Sequence, residues 1–150
     1  MNEHSLFGEV ISVELPETAL TLLQERPTYA VASAGKHPWV ATMYFYLDAA
    51  GDLVSAIKSD SITLAALSTN SELAFAVNGA NPDVFIQGLG AGEDAGWLAD
   101  LPEVRRGLID KSPEIQRFLD NVPQLRVLKI HPTAIYLTDH RQKISPRHKV

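Results

Sequence analysis

The sequence predicts a mainly β, α+β fold: a six- to seven-stranded antiparallel barrel, closed or split, with helices at its periphery. Three observations predict it. Between Tyr29 and Gly90, apolar side chains alternate along short runs that break only at turn residues. The longest run, Pro38 to Leu47, sets Val40, Thr42, Tyr44 and Tyr46 on one face and Ala41, Met43, Phe45 and Leu47 on the other. Both faces are largely apolar, so both need cover, from a closed barrel or from a subunit interface. The one interruption, Ser59 to Asn70, opens with hydroxyls and then turns apolar, as a short helix does when it packs on a sheet. A barrel is the simplest way to hide so many two-sided strands.

Each element follows in order. Residues 1–14 read as a lead-in, with Val10, Ile11 and Val13 as a peripheral strand. A helix comes next. Pro16 suits its first turn and Glu17 the positive end of its dipole, while Leu15, Ala19, Leu22 and Leu23 share a face; Pro27 ends it. Thr28 to Ala34 is a small-residue strand closed by Gly35, before the long strand from Pro38. Asp48-Ala49-Ala50-Gly51 signals a hairpin, from which Leu53 to Lys58 returns. A helix over 61–70 precedes the strands Leu73 to Val77 and Val84 to Leu89, with Gly88 and Gly90 marking a bend or bulge. Over 93–123 the spacing turns helical. Leu101, Val104, Leu108 and Ile109 form one face, Ile115, Phe118, Leu119 and Val122 another, with Pro113 between two helices. Leu125 to Ile130 and Ala134 to Thr138 are two closing strands joined at His131-Pro132, and Asp139 to Val150 is a polar tail, mobile or held by a partner. A single domain over 1–150 accounts for this pattern.

Composition narrows the function. A chain of 150 residues, 45% apolar and 21% charged, buries an ordinary core without staples. A net charge of −5 argues against nucleic acid or anionic membrane as a partner. The absence of cysteine excludes disulfides, thiolate catalysis and Cys-bound zinc or iron–sulfur clusters. The opening MNEHSLFGEV lacks the basic start and apolar run of a secretory signal, and no stretch is long enough to span a bilayer. A cytoplasmic protein is expected. The five histidines (His4, His37, His131, His140 and His148) show no metal-ligand spacing, so no metal site is expected. Asp139-His140-Arg141 reads as surface, because neighbours in an extended segment point apart.

The strand–helix turn is the richest candidate site. Ser59, Ser61 and Thr63 either cap a helix and do nothing more, or cap it while donating to a phosphate. Lys58 is either a solvated strand-end charge or a partner of that phosphate. Gln87, polar inside an apolar strand, needs a partner, either a neighbour or a ligand edge. Trp97, after the Gly-rich AGEDAG, either closes over a cofactor or fills a satellite core.

Four stretches together resemble the pyridoxamine 5′-phosphate oxidase-like, FMN-binding split-barrel family, in its small and poorly characterised branch. They are TYAVASAGKHPWVATMYFYLDAAGDLVSAIKSDS after the opening helix, the turn SDSITLAALSTN, the strand VFIQGLGAGE and the late phrase LKIHPTAIYLTDHR. The resemblance implies a split β-barrel and a homodimer with two FMN sites at the subunit interface. It places the flavin ring against Ala41 to Phe45 and the phosphate near Ser59 to Thr63. The residues it implicates are Thr42, Met43, Tyr44, Ile57, Lys58, Ser59, Ser61, Thr63 and Gln87. The chain departs from the family pattern at the turn. Ile62 and Thr63 stand where a basic pair is common, and Ala41 where an arginine often lies.

The leading expectation is therefore an FMN-binding protein, a flavin-dependent oxidoreductase of unassigned substrate. Pyridoxamine 5′-phosphate oxidase activity itself is not expected, since the chain lacks a matching basic closing segment. Catalytic residues are not legible; Tyr44 and Tyr46 are the proton donors nearest the implied pocket. Two alternatives stand beside this one. One is a flavin-free dimeric barrel that binds or scaffolds; the other is a barrel holding haem at the same interface, with His131 or His140 as axial ligand.

Overall fold

The structure, a computed structural model, describes residues 15–142 and 144–149. The strand expected around Val10 lies outside the described residues. Helix α1 (Glu17–Glu25) starts after Pro16 and buries Ala19, Leu22 and Leu23. Strand β1 (Thr28–Ala34) pairs with β2 (Pro38–Tyr44) from Thr28 opposite Tyr44 to Ala34 opposite Pro38. The long strand expected over Pro38 to Leu47 breaks at Phe45, whose N–H leaves the ladder and donates to the Pro27 carbonyl at 3.2 Å. Its continuation, β3 (Tyr46–Leu47), pairs with β4 (Leu53–Lys58). One bent strand thus serves two neighbours.

Helix α2 (Ile62–Ala66) leads to β5 (Glu72–Asn78) and β6 (Val84–Trp97). Helices α3 (Pro102–Lys111) and α4 (Gln116–Asn121) precede β7 (Leu125–Asp139) and β8 (Ile144–Lys149). The strand order is β2-β1-β5-β6-β7-β4-β3, with β8 beside β7, and every pair is antiparallel. Since β2 and β3 are halves of one bent strand, the two ends of that order meet. The sheet closes on itself as a split barrel, mainly β with peripheral helices.

Alternation along the strands fills two cores. Inside the barrel lie Tyr29, Val31, Phe45, Leu53, Ile57, Phe75, Ile86, Leu128 and Ile130, with α1 contributing Leu22 and Leu23. Gly88 faces this interior, where a Cβ would overlap the Phe75 ring. Outside, Val54 and Ala56 of β4 and Leu125 and Val127 of β7 pack under Val104, Leu108 and Leu119 of α3 and α4.

Several further expectations need correction. Residues 93–97 continue β6 as strand, because the ladder to β7 reaches Trp97 opposite Arg126; the helical spacing begins only at Leu101. The helix over 61–70 ends at Ala66. His131-Pro132 does not divide the last strand. It sits at a register shift next to Gly90, where the missing proline N–H is tolerated as it is at other bulges. The polar tail includes β8, which returns along β7 with Ile144 opposite Asp139. Of the segment expected at the surface, His140 and Arg141 are exposed, but Asp139 is fully buried and accepts two hydrogen bonds of 3.0 Å from the Arg141 guanidinium.

Candidate functional site

The registers define one open face of the barrel. Across it run Val40, Ala32, Ala74 and Leu89 in one row, ending at the buried Ala134, and Thr42, Ala30, Ala76, Gln87 and Tyr136 in the next. Alanines keep the middle of this surface low and flat. Val40 is 63% exposed and Leu89 38%, high values for apolar side chains on a sheet. Contiguous apolar surface of this kind marks a contact site more often than open water.

At one side this face meets the split. Beyond Phe45 the bent strand joins β4, while before it β2 pairs with β1, so β2 and the far end of β4 diverge. Lys58 closes β4 with its side chain exposed, and the Ser61 N–H bonds the Lys58 carbonyl at 3.1 Å across the turn. Ser61 is the N-cap of α2: its Oγ accepts from the Leu64 N–H at 3.2 Å, leaving the hydroxyl proton available to another acceptor. The helix is positioned by Gly35, where a Cβ would approach the Ala66 Cβ to 2.8 Å.

The structure brings some of the expected site residues together and separates others. Lys58, Ser59 and Ser61 share one exposed or half-exposed turn, and Thr42 looks outward from β2. Tyr44 shares that outward row but packs against the α3–α4 cluster. Met43 and Ile57 turn inward to the barrel core, and Thr63 is only 2% exposed. Gln87 is exposed on the same face as Thr42 but three strands along, about 14 Å at ordinary strand spacing. Within one copy it cannot share a small pocket with Thr42. Ile62, where the resemblance calls for a base, is 51% exposed.

Two features escaped the sequence reading. The first is a hollow of about 530 Å³ lined by Trp97, Leu98, Leu119, Val122 and Leu125, with the paired Arg105 and Asp120 among its lining. Trp97 is 41% exposed there rather than filling a core, and the Arg126 guanidinium lies 4.3 Å from its ring centroid while bonding Asp94 twice. The second is His131, whose Nδ1 lies 2.8 Å from an Asp52 oxygen and whose Nε2 lies 2.7 Å from a Glu93 oxygen. No local signal announces either, because the partners come from distant strands. Among the described residues, no group of three or more His, Asp or Glu could hold a metal ion. No helix there is long and apolar enough to cross a membrane.

No protein-family model matches the chain, and no curated protein does. Solved structures do. The general stress protein 26 of Bacillus anthracis superposes with a TM-score of 0.65 at 17% identity, over 81% of this chain and 92% of that one. A candidate pyridoxamine 5′-phosphate oxidase from Listeria innocua gives 0.65 at 17% identity, over 83% and 98%. HutZ, the haem storage protein of Vibrio cholerae, gives 0.68 at 14% identity, over 84% and 96%. At these identities the likeness is one of fold.

Proposed function

We propose that this chain, which has the split-barrel fold of pyridoxamine 5′-phosphate oxidase-like proteins, works as a homodimeric FMN-binding oxidoreductase. The observation that carries the reading is the open, alanine-floored face ending at the β2–β4 split, beside the exposed turn Lys58–Ser61. A second copy laid on that face covers Val40 and Leu89 and leaves a slot at the split for a flat ring. In that arrangement Gln87 serves the ring from the partner's side, which accounts for its distance from Thr42.

The donor set fits a phosphate monoester. A dianion leaving water needs charge-assisted or hydroxyl donors in its place. Lys58 supplies one cation, and Ser59 and Ser61 supply two hydroxyls on the same turn. Thr63, being buried, supports the turn from beneath. In this reading Thr42 and the main chain of β2 hydrogen-bond the ring edge, with Tyr44 beside them. When bound, the flavin supplies the redox chemistry. The chain's own residues position it, exclude water and fix its phosphate.

A flavin-free binding dimer is favoured by one observation, the exposed Ile62 where the resemblance has a base. The haem reading loses one candidate ligand, since both ring nitrogens of His131 face carboxylates. It retains His140, which is exposed near Phe85, and the likeness to HutZ. The visible spectrum of freshly purified protein separates the three: a flavin band, a Soret band, or neither. Ser61→Glu tests the phosphate position. Negative charge there is expected to abolish FMN uptake while the circular dichroism spectrum stays unchanged; undiminished uptake contradicts the reading.

A further inference from the structure

We propose that His131 is a proton-dependent latch, joining the β3–β4 hairpin to β6 across the bulge of β7 only while its imidazole is charged. The geometry carries this. Asp52, at the end of the hairpin turn, faces Nδ1 at 2.8 Å, and Glu93 of β6 faces Nε2 at 2.7 Å. A carboxylate can only accept, so both ring nitrogens must donate, and only the imidazolium has two N–H groups. In the neutral ring one nitrogen presents a lone pair to a carboxylate oxygen, and that contact becomes repulsive.

The surroundings favour the charged form. Partial burial alone disfavours it, but the hydrogen bonds to Glu93 and Asp52 and their Coulomb attraction outweigh that effect, holding the His131 pKa above its usual value. Other charged groups lie near it by sequence or register on the neighbouring elements. Asp48 lies in the same hairpin turn and accepts from the Asp52 N–H at 2.9 Å. Lys129 precedes it on the same face of β7, opposite Glu93. Glu72 of β5 lies across Ala91, the residue paired with His131. Acids predominate in this set.

The sign follows from the raised pKa. The latch is fully fastened below the ordinary histidine range and is lost as pH rises through the higher folded-state value. Its release loosens the hairpin turn, whose strands stay held by the β4–β7 ladder and by the turn bonds Asp48 N–H to the Asp52 carbonyl and Gly51 N–H to the Asp48 carbonyl. This device is independent of whether flavin is bound.

Nitrogen-15 NMR of the full chain tests it, with His131→Gln identifying the resonance. Below its titration midpoint, expected above the ordinary histidine value, both His131 nitrogens are expected to carry protons, and Asp52→Asn and Glu93→Gln each to lower that midpoint. Hydrogen exchange of the hairpin amides 47–53, corrected for intrinsic rate, is expected to accelerate about tenfold as pH rises through that midpoint. In His131→Gln it is expected to be fast throughout. A His131 midpoint at or below the ordinary histidine value, or hairpin protection that ignores pH in the native protein, overturns the proposal. Both decisive readings come from the unaltered chain, so they stand even if a variant fails to fold.

Discussion

At the residue scale, the barrel is closed at its strand break by a small cluster around Phe45. Tyr29 stacks on Phe45 with ring centroids 4.3 Å apart and shares a 2.7 Å hydrogen bond with Ser55. From the other side comes Lys111, the last residue of α3. Its Nζ lies 3.5 Å from the Phe45 ring centroid and donates to the Leu23 carbonyl at 2.8 Å. Burial pushes the Lys111 pKa down to about 8 from 10.5. Below about 8 the lysine is charged in both folded and unfolded chains, and the cost of burying that charge is fully present. Between about 8 and 10.5 the folded state releases its proton first, so this group makes stability rise with pH. Urea titrations across that window should show native stability gaining on Lys111→Met as pH increases; a constant difference would refute the buried charge. The Ser61 cap was legible in sequence because capping is a contact between residues three apart. The His131 bridge was not, because its partners lie 79 and 38 residues away.

At the element scale, alternation located the strands well wherever the two faces met different surroundings. Val40, Thr42 and Tyr44 do face outward, and Met43, Phe45 and Leu47 do join the interior cluster. The sequence reading failed where tertiary pairing overrode local pattern. AGEDAGW looks like a loop before a helix, yet the β7 ladder extends β6 through it, aided by Gly96 at φ +113°. Likewise, the 61–70 segment holds only a short helix, since Ser68, Thr69 and Asn70 favour a turn after Ala66. That helix depends on Gly35. The larger Gly35→Val side chain must displace Ala66 and tilt α2, so it is expected to weaken FMN binding roughly tenfold or more by shifting Ser61. Calorimetric titration with FMN checks this; unchanged affinity would separate the helix from the phosphate.

At the scale of the whole molecule, the sequence signalled a barrel but not which of its faces stays open. Two-sided apolar strands require cover, and the packing shows α3 and α4 covering β4 and β7 while, among the described residues, Val40 and Leu89 stay exposed beside half-buried alanines. Val40→Glu tests the consequence. Because Val40 is exposed in one copy, the change should alter the stability of the isolated fold by no more than about 0.5 kcal/mol. Two buried glutamates at the proposed two-fold interface should nevertheless leave the protein a monomer by light scattering; a persistent dimer would place the interface elsewhere. The central claim joins that interface to the flavin. Sedimentation velocity of protein equilibrated with FMN, followed at the visible flavin band, tests both at once. The account predicts that the band moves as one boundary with twice the mass of a single chain. A flavin band left behind with free FMN, while the protein sediments as a single chain, would contradict it.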